Sequence, residues 1–196
     1  MTPNDTGNSS PSTPSPGVEI RQATLADVGM LMEVLKACIS SMRARGIDQW
    51  DSVYPDRSTI ECDVRSGTAV VATIDRDIVG MVVLSDYQYP EYGQVSWLYS
   101  GRAAVMYRLM VAPALEGRGI ARVLVEVLET RAAQIGYECI RLDAFHENDR
   151  AVKFYERADY RRAGQVRFRK GLFDCFEKQL CVPANYELQR PARKAG

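Results

Sequence analysis

The residues with the clearest chemical potential lie in one stretch, Leu109-Met110-Val111-Ala112-Pro113-Ala114-Leu115-Glu116-Gly117-Arg118-Gly119-Ile120-Ala121-Arg122. A strand pattern ends, Pro113 turns the chain, and two glycines open an amphipathic helix. Glycine in a helix costs about 1 kcal/mol relative to alanine, so a pair here needs a reason. Without side chains, peptide N–H groups can approach a ligand closely. The helix N-terminus adds partial positive charge that favours phosphate, and Arg118 and Arg122 add mobile positive charge. The chemistry indicated is a cradle for a pyrophosphate. A dinucleotide fingerprint requires a third Gly or Ala where Arg122 stands, and a P-loop requires Gly-Lys-Ser/Thr, which is absent. A tight strand-to-helix turn with no ligand is the competing structural reading.

Other chemistries are poorly supplied. The five cysteines, at 38, 62, 139, 175 and 181, form no CxxC pair, and His146 is the single histidine. This argues against a disulfide framework, a metal site and a Cys-His nucleophile. Reduced thiols in a cytoplasmic protein are expected.

The elements that must position these residues alternate along the chain. Val18–Gln22 reads as a half-buried strand. Thr24, with Asp27 at the capping-box position, starts a helix through Val28, Leu31, Met32, Leu35, Ile39 and Met42 that stops at Gly46. A short helix is expected at Ser58–Arg65. Thr68–Ile74 and Ile78–Leu84 form a hairpin around Asp75-Arg76-Asp77. A polar aromatic loop, Asp86–Ser96, precedes a strand at Val105–Val111. A helix at Gly119–Ile135 carries an apolar stripe of Ile120, Leu124, Val127, Leu128 and Ile135. A strand at Cys139–Phe145, a helix at Asn148–Arg157 and strands near Gln165–Arg169 and Asp174–Cys181 complete the chain. The pattern is a mixed α/β (α+β) domain.

Glu116–Ala121 resembles motif A, Gln/Arg-x-x-Gly-x-Gly/Ala, of the GCN5-related N-acetyltransferases (GNAT). Asn148-Asp149-Arg150-Ala151-Val152-Lys153-Phe154-Tyr155-Glu156 resembles that family's Asn-x-x-Ala-x-x-Phe-Tyr helix. Ile20–Thr24 followed by Asp27 looks like its first strand and helix start, and the order of elements matches. The resemblance spans about Val18 to Leu180. It implies a mostly antiparallel six- to seven-stranded sheet with flanking helices, whose fourth and fifth strands splay to admit the pantetheine of acetyl-CoA. Backbone groups of Leu109, Met110 and Val111 would then face the acyl carbonyl and pantetheine. The segment Glu116, Gly117, Arg118, Gly119, Ile120 and Ala121 would hold the pyrophosphate, Asn148 would contact the pantetheine arm, and Tyr155 would sit near the sulfur. Two positions depart from the pattern. Glu116 places an anion beside the proposed diphosphate, and Asp159 stands where a glycine usually precedes the aromatic Tyr160.

An amine acceptor must lose a proton before attack, and the departing thiolate must gain one. Deprotonating a lysine-like amine of pKa ~10.4 at pH 7 costs about 4.6 kcal/mol. Tyr155 is expected as the general acid. Ala104–Val111 holds no carboxylate, so the base is sought among Glu91, Asp86, Asp143, His146 and Glu147, with Glu91 and Asp143 ranked together ahead of the others. Asp143 reaches the cleft by alternation with Leu142. Trp50, in Gly46-Ile47-Asp48-Gln49-Trp50, and Tyr89 are expected to wall the acceptor pocket. Trp97 and Phe173–Lys178 are read as packing. Two competitors stand beside an acetyltransferase: a non-catalytic acyl-CoA sensor on the same fold, and a nucleotide-binding domain of another type.

Composition sets the outer limits. The chain has 196 residues, enough for one domain at roughly 150 residues per domain. Lys plus Arg and Asp plus Glu both number 25, which argues against a broad grip on nucleic acid. No apolar run approaches the ~20 residues of a membrane helix. The expected layout is a disordered Ser/Thr/Pro-rich tail at 1–17, an acetyltransferase domain at 18–182 and a polar tail at 183–196. A homodimer is in keeping with the resemblance.

Overall fold

A computed structural model describes residues 17–181. The expected tails lie outside that range, Gly17 excepted. Seven strands form one sheet in the order β1-β2-β3-β4-β5-β7-β6. They are β1 (Glu19–Gln22), β2 (Ala69–Ile74), β3 (Asp77–Ser85), β4 (Ala103–Val111), β5 (Cys139–Phe145), β6 (Arg161–Phe168) and β7 (Gly171–Gln179). Four helices flank them: α1 (Val28–Ala44), α2 (Arg57–Arg65), α3 (Ile120–Ile135) and α4 (Asp149–Arg157). Every neighbouring pair is antiparallel except β4 and β5. Among the described residues, no helix is long and apolar enough to cross a membrane.

Local chemistry places the ends of the elements. The Asp27 carboxylate accepts the Thr24 backbone N–H at 2.7 Å, the reach-back contact of a capping box. Asp56 caps α2 by accepting the Thr59 N–H at 2.8 Å. The β2–β3 turn carries φ of 51° and 74° at Asp75 and Arg76, the positive pair that a tight hairpin needs. β6 starts earlier than its apolar pattern indicates, because Arg161 and Arg162 pair in the ladder, Arg162 donating to the buried Asp174, and β7 starts earlier because Gly171 pairs with Phe168.

The sheet separates two cores. On one face α1 buries Val28, Leu31, Leu35 and Met42 against β3 and β4. On the other, α3 buries Ile120, Leu124 and Leu128 against β2, β3 and β4. Each such side chain contributes about 1.5–3 kcal/mol on burial. The α3 stripe is tighter than its spacing suggests. Val123 and Val125 join it, Val127 is half-buried, and Ile135, expected inside, is 51% exposed beside the closing Gly136.

β4 and β5 pair only at their starts, from Ala103↔Cys139 to Val105↔Arg141. Beyond that the strands part. The cause lies in β4. Met81 faces Met110 and Val83 faces Tyr107, so two steps on β3 match three on β4. The extra residue is a β-bulge, with Arg108 at φ 50°. A bulge bends and re-aims its strand, and here it opens the sheet between two strands that would otherwise remain parallel neighbours.

Candidate active site

A cavity of ≈ 740 Å³ occupies this opening and is lined from both faces of the sheet. One wall is the glycine turn. Gly117 (φ 79°) and Gly119 (φ 82°) both sit in the left-handed region, where a side chain would be strained. A Cβ added to either would meet nothing within 4 Å. The space in front of the turn is therefore open. The α3 hydrogen-bond ladder begins only where Val123 N–H donates to Gly119 O. Among the described residues, the N–H groups of Gly117, Gly119, Ile120 and Ala121 donate to no backbone carbonyl. These are the free donors of a helix N-terminus, which favour an anion.

Glu116 does not face this cradle with a bare charge. Its carboxylate is held by Arg150 from α4 and, at 3.8 Å, by Arg45 at the end of α1. Arg118 lies in the same turn. Its side chain is exposed and off the cavity wall.

On the same side, Tyr155 projects from α4 into the cavity. Burial raises its hydroxyl above the usual range, with the Asp143 charge adding to the shift. It therefore holds its proton at neutral pH. Asn148 caps α4 by accepting the Ala151 N–H at 3.2 Å, and its amide donates to Gln49 at 3.1 Å. Leu109, Met110 and Val111 line the opened edge of β4. Val111 O already accepts the Cys38 thiol at 3.2 Å. Burial pushes that thiol up to about 12, so Cys38 is no nucleophile at neutral pH.

The other face brings side chains together from five segments. Asp143, on the part of β5 that still pairs with β7 but has parted from β4, accepts the Tyr92 hydroxyl at 2.7 Å. Burial pushes its carboxyl up to about 6, while Tyr92 and the Arg108 charge pull the other way. Glu91 also lines the cavity, on a 3-10 turn at Pro90–Gln94. The remaining base candidates are off the wall: Asp86 and Glu147 are exposed, and His146 turns away to Asp174 at 3.0 Å. Trp50 is 9% exposed on the same wall. Tyr89 meets Tyr107 and Phe168 edge-on, with ring centres 5.6 and 5.4 Å apart. Trp97 is away from the cavity, as its packing role requires. It stacks under Arg141 and donates to Tyr92 O at 3.0 Å. Phe173, read as packing, is buried in the core and also lines the cavity.

The model of the acetyltransferase (GNAT) family matches residues 33–160. The chain belongs to the GNAT family. It is 31% identical over 81 residues to the uncharacterized N-acetyltransferase YdgE of Bacillus subtilis (strain 168), covering 39% of this chain and 51% of that protein. It is 32% identical over 82 residues to acetyltransferase ECA0875 of Pectobacterium atrosepticum, covering 42% and 58%. The matches thus span about half the length of these curated relatives. A GNAT-family acetyltransferase from Streptococcus agalactiae superposes with a TM-score of 0.74 at 22% identity, over 84% of this chain and 96% of the other. The yncA protein of Salmonella typhimurium, solved with its cofactor acetyl-CoA, gives 0.60 at 18%, over 86% and 96%.

Several wall residues of this GNAT chain were not singled out by sequence reading. Arg108 Nε and Nη2 donate to Asp63 at 2.6 and 2.5 Å, and Nη1 donates to the Tyr54 hydroxyl at 2.7 Å. The signal for Asp63 was present: it shares the buried face of α2 with Ile60 and Val64, where a lone carboxylate needs a partner. Tyr107 and Phe168 carried no signal beyond being aromatic. Arg169 and Lys170, in the β6–β7 turn, bind Asp51 and Asp48. That contact joins residues more than a hundred positions apart, which no local pattern encodes.

Proposed function

We propose that this GNAT member moves the acetyl group of acetyl-CoA to a primary amine by direct attack. Bound acetyl-CoA supplies an activated thioester carbonyl. The peptide N–H groups from Gly117 to Ala121 hold the diphosphate, and the opened edge of β4 from Leu109 to Val111 receives the arm beside Asn148. Asp143 accepts the amine's proton. A carboxyl raised to about 6, near the working pH, is suited to that task, and its place on β5, in the same opening as Tyr155, favours Asp143 over Glu91. The Tyr155 hydroxyl then gives its proton to the departing sulfur. Once Asp143 is neutral, its contribution to raising Tyr155 disappears, and the hydroxyl becomes a better donor. Trp50 and Tyr89 wall the acceptor.

One observation carries this reading: Asp143 and Tyr155 enter one cavity from opposite faces of the sheet, beside an open glycine cradle. The unreactive Cys38 weighs against a covalent intermediate. Two features favoured a sensor, the Glu116 charge and the missing β4 carboxylate. The arginines on Glu116 and the position of Asp143 weaken both.

The test combines thermal shift with thiol release. CoA is expected to stabilise the protein, and acetyl-CoA to release thiol only when an amine is added. Stabilisation by NAD or ATP alone would remove the acetyltransferase reading. Tight CoA binding with no turnover on any amine would leave the sensor.

A further inference from the structure

The two sides of the cavity differ in how their charges are matched. On the acceptor side each cation already faces a carboxylate. Both oxygens of Asp63 hold Arg108, both oxygens of Asp51 hold Arg169, and Lys170 sits between Asp48 and Asp51. Arg157 shares a face of α4 with Arg150, at i and i+7, and so belongs to the cofactor side. Asp143 and Glu91 have no paired counter-ion: the Arg108 charge acts on Asp143 only at a distance, its donors being taken by Asp63 and Tyr54. Among the described residues neither takes part in an ion pair, and the partner of Asp143 is a neutral hydroxyl. This side therefore carries uncompensated negative charge and no uncompensated positive charge. It draws in a cation and offers nothing to a carboxylate or phosphate.

The walls add shape. Tyr89 meets Tyr107 and Phe168 edge-on, and Phe168 meets Phe173 at 5.3 Å. Rings so arranged gain most from a flat apolar body, and they also favour an ammonium. A latch limits size. Arg169 and Lys170 tie the β6–β7 turn to the segment after α1, and both segments line the cavity. An extended polypeptide would have to part these walls. The cavity must also house the thioester arm, which leaves room for a small molecule.

We propose that the acceptor is a small primary amine with a flat apolar body and no anionic group. The proposal rests on the acyl-transfer reading above.

The test compares kcat/KM at saturating acetyl-CoA for 2-phenylethylamine, phenylalanine, spermidine and a short lysine peptide. Phenylalanine differs from 2-phenylethylamine by one carboxylate, so this pair reads the missing cation partner directly. 2-Phenylethylamine is expected to lead each of the others by about tenfold or more. Parity or preference for any of the other three would overturn the proposal. If no amine turns over although CoA binds, intrinsic fluorescence of the CoA complex reads binding instead. Binding of 2-phenylethylamine but not phenylalanine would keep the acceptor class while the acyl-transfer reading fails. Equal binding, or none, would overturn the class. The double variant Arg169→Ala/Lys170→Ala removes every ion pair of the latch, and is expected to raise the peptide's rate relative to 2-phenylethylamine about fivefold. An unchanged ratio would overturn the exclusion of peptides.

Discussion

The two faces of the β4–β5 opening are built by different means. The cofactor side is largely backbone: two left-handed glycines, the first turn of α3 and the unpaired edge of β4. The acceptor side is largely side chain, converging from the segment after α1, from the 3-10 turn, from β4, from β5 and from the β6–β7 turn. Backbone features depend on a few contiguous residue types and so repeat from chain to chain. Side-chain features depend on tertiary meetings and are free to differ. On the proposed function, the first side would take a common donor and the second an individual acceptor.

Asp143→Asn tests the acceptor side most severely. Loss of a general base lowers turnover by about 10²–10⁴-fold, while CoA binding, read by thermal shift, should persist. The wild-type rate should fall as pH drops below about 6, where the carboxyl of Asp143 becomes protonated. The same group burdens the fold. Its pKa is raised from 3.8 to about 6, so the folded state resists its ionisation. The penalty is absent below pH 3.8 and fully in place above about 6. Its upper bound is about 3 kcal/mol at 1.36 kcal/mol per unit. Asparagine removes the charge but also weakens the Tyr92 bond. A net gain of about 1–2 kcal/mol is expected, seen as a higher Tm at pH 7. A variant that keeps its activity would move the base elsewhere, with Glu91 next.

Tyr155→Phe is the counterpart on the cofactor side. Turnover should fall about 10- to 100-fold, less than for the base, because water can carry a proton to a thiolate. CoA affinity should change little, since cradle donors are peptide groups. A large loss of CoA binding would mean that Tyr155 holds the cofactor rather than serving its chemistry.

These two residues also mark how far the sequence could be read. Tyr155 belongs to a contiguous motif whose spacing fixes its place on α4. The glycine turn was legible for the same reason, as was the order of elements, because strand alternation and helical spacing are local. Asp143 was only one of several base candidates. Its selection depends on the Tyr92 hydroxyl, 51 positions away, and on the bulge at Arg108: the resemblance implied a bulge where the strands splay, but no local pattern gave its position. The latch between Asp51 and Arg169, and the pairing of Arg108 with Asp63, were illegible for that same reason. Glu116 shows a further limit. Its charge was visible, but not the two arginines that neutralise it.

Glu116→Gln sharpens that point with a smaller effect. Removing the carboxylate leaves Arg45 and Arg150 beside the cradle without their partner. All three are partly solvated, so the gain is screened. CoA is expected to bind about two- to fivefold more tightly at low salt, as read by calorimetry. The difference should fade at 0.5 M salt, on the order of a Debye length of a few ångströms. A variant that binds CoA more than about tenfold more weakly would mean that Glu116 contributes to holding the cofactor.

The smallest effect is expected at Asp159, just past the end of α4. Its φ is 64°, and its N–H donates to Glu156 O at 3.2 Å while Tyr160 N–H returns to Tyr155 O at 3.0 Å. This is a left-handed helix end of the kind glycine closes without steric cost. Aspartate tolerates the conformation better than most residues but is still strained there. Asp159→Gly relieves the strain and adds flexibility to the unfolded chain, two opposing terms. The first is larger at a left-handed site, and a gain of about 0.5–1 kcal/mol is expected, a Tm rise of about 1–4 °C. The side chain is exposed, so kinetics should be unchanged. Since α4 presents both Asn148 and Tyr155, a shift in KM for acetyl-CoA would show that the last turn of the helix tunes the cofactor wall. An unchanged KM with a higher Tm would show that this wall is set by backbone geometry alone.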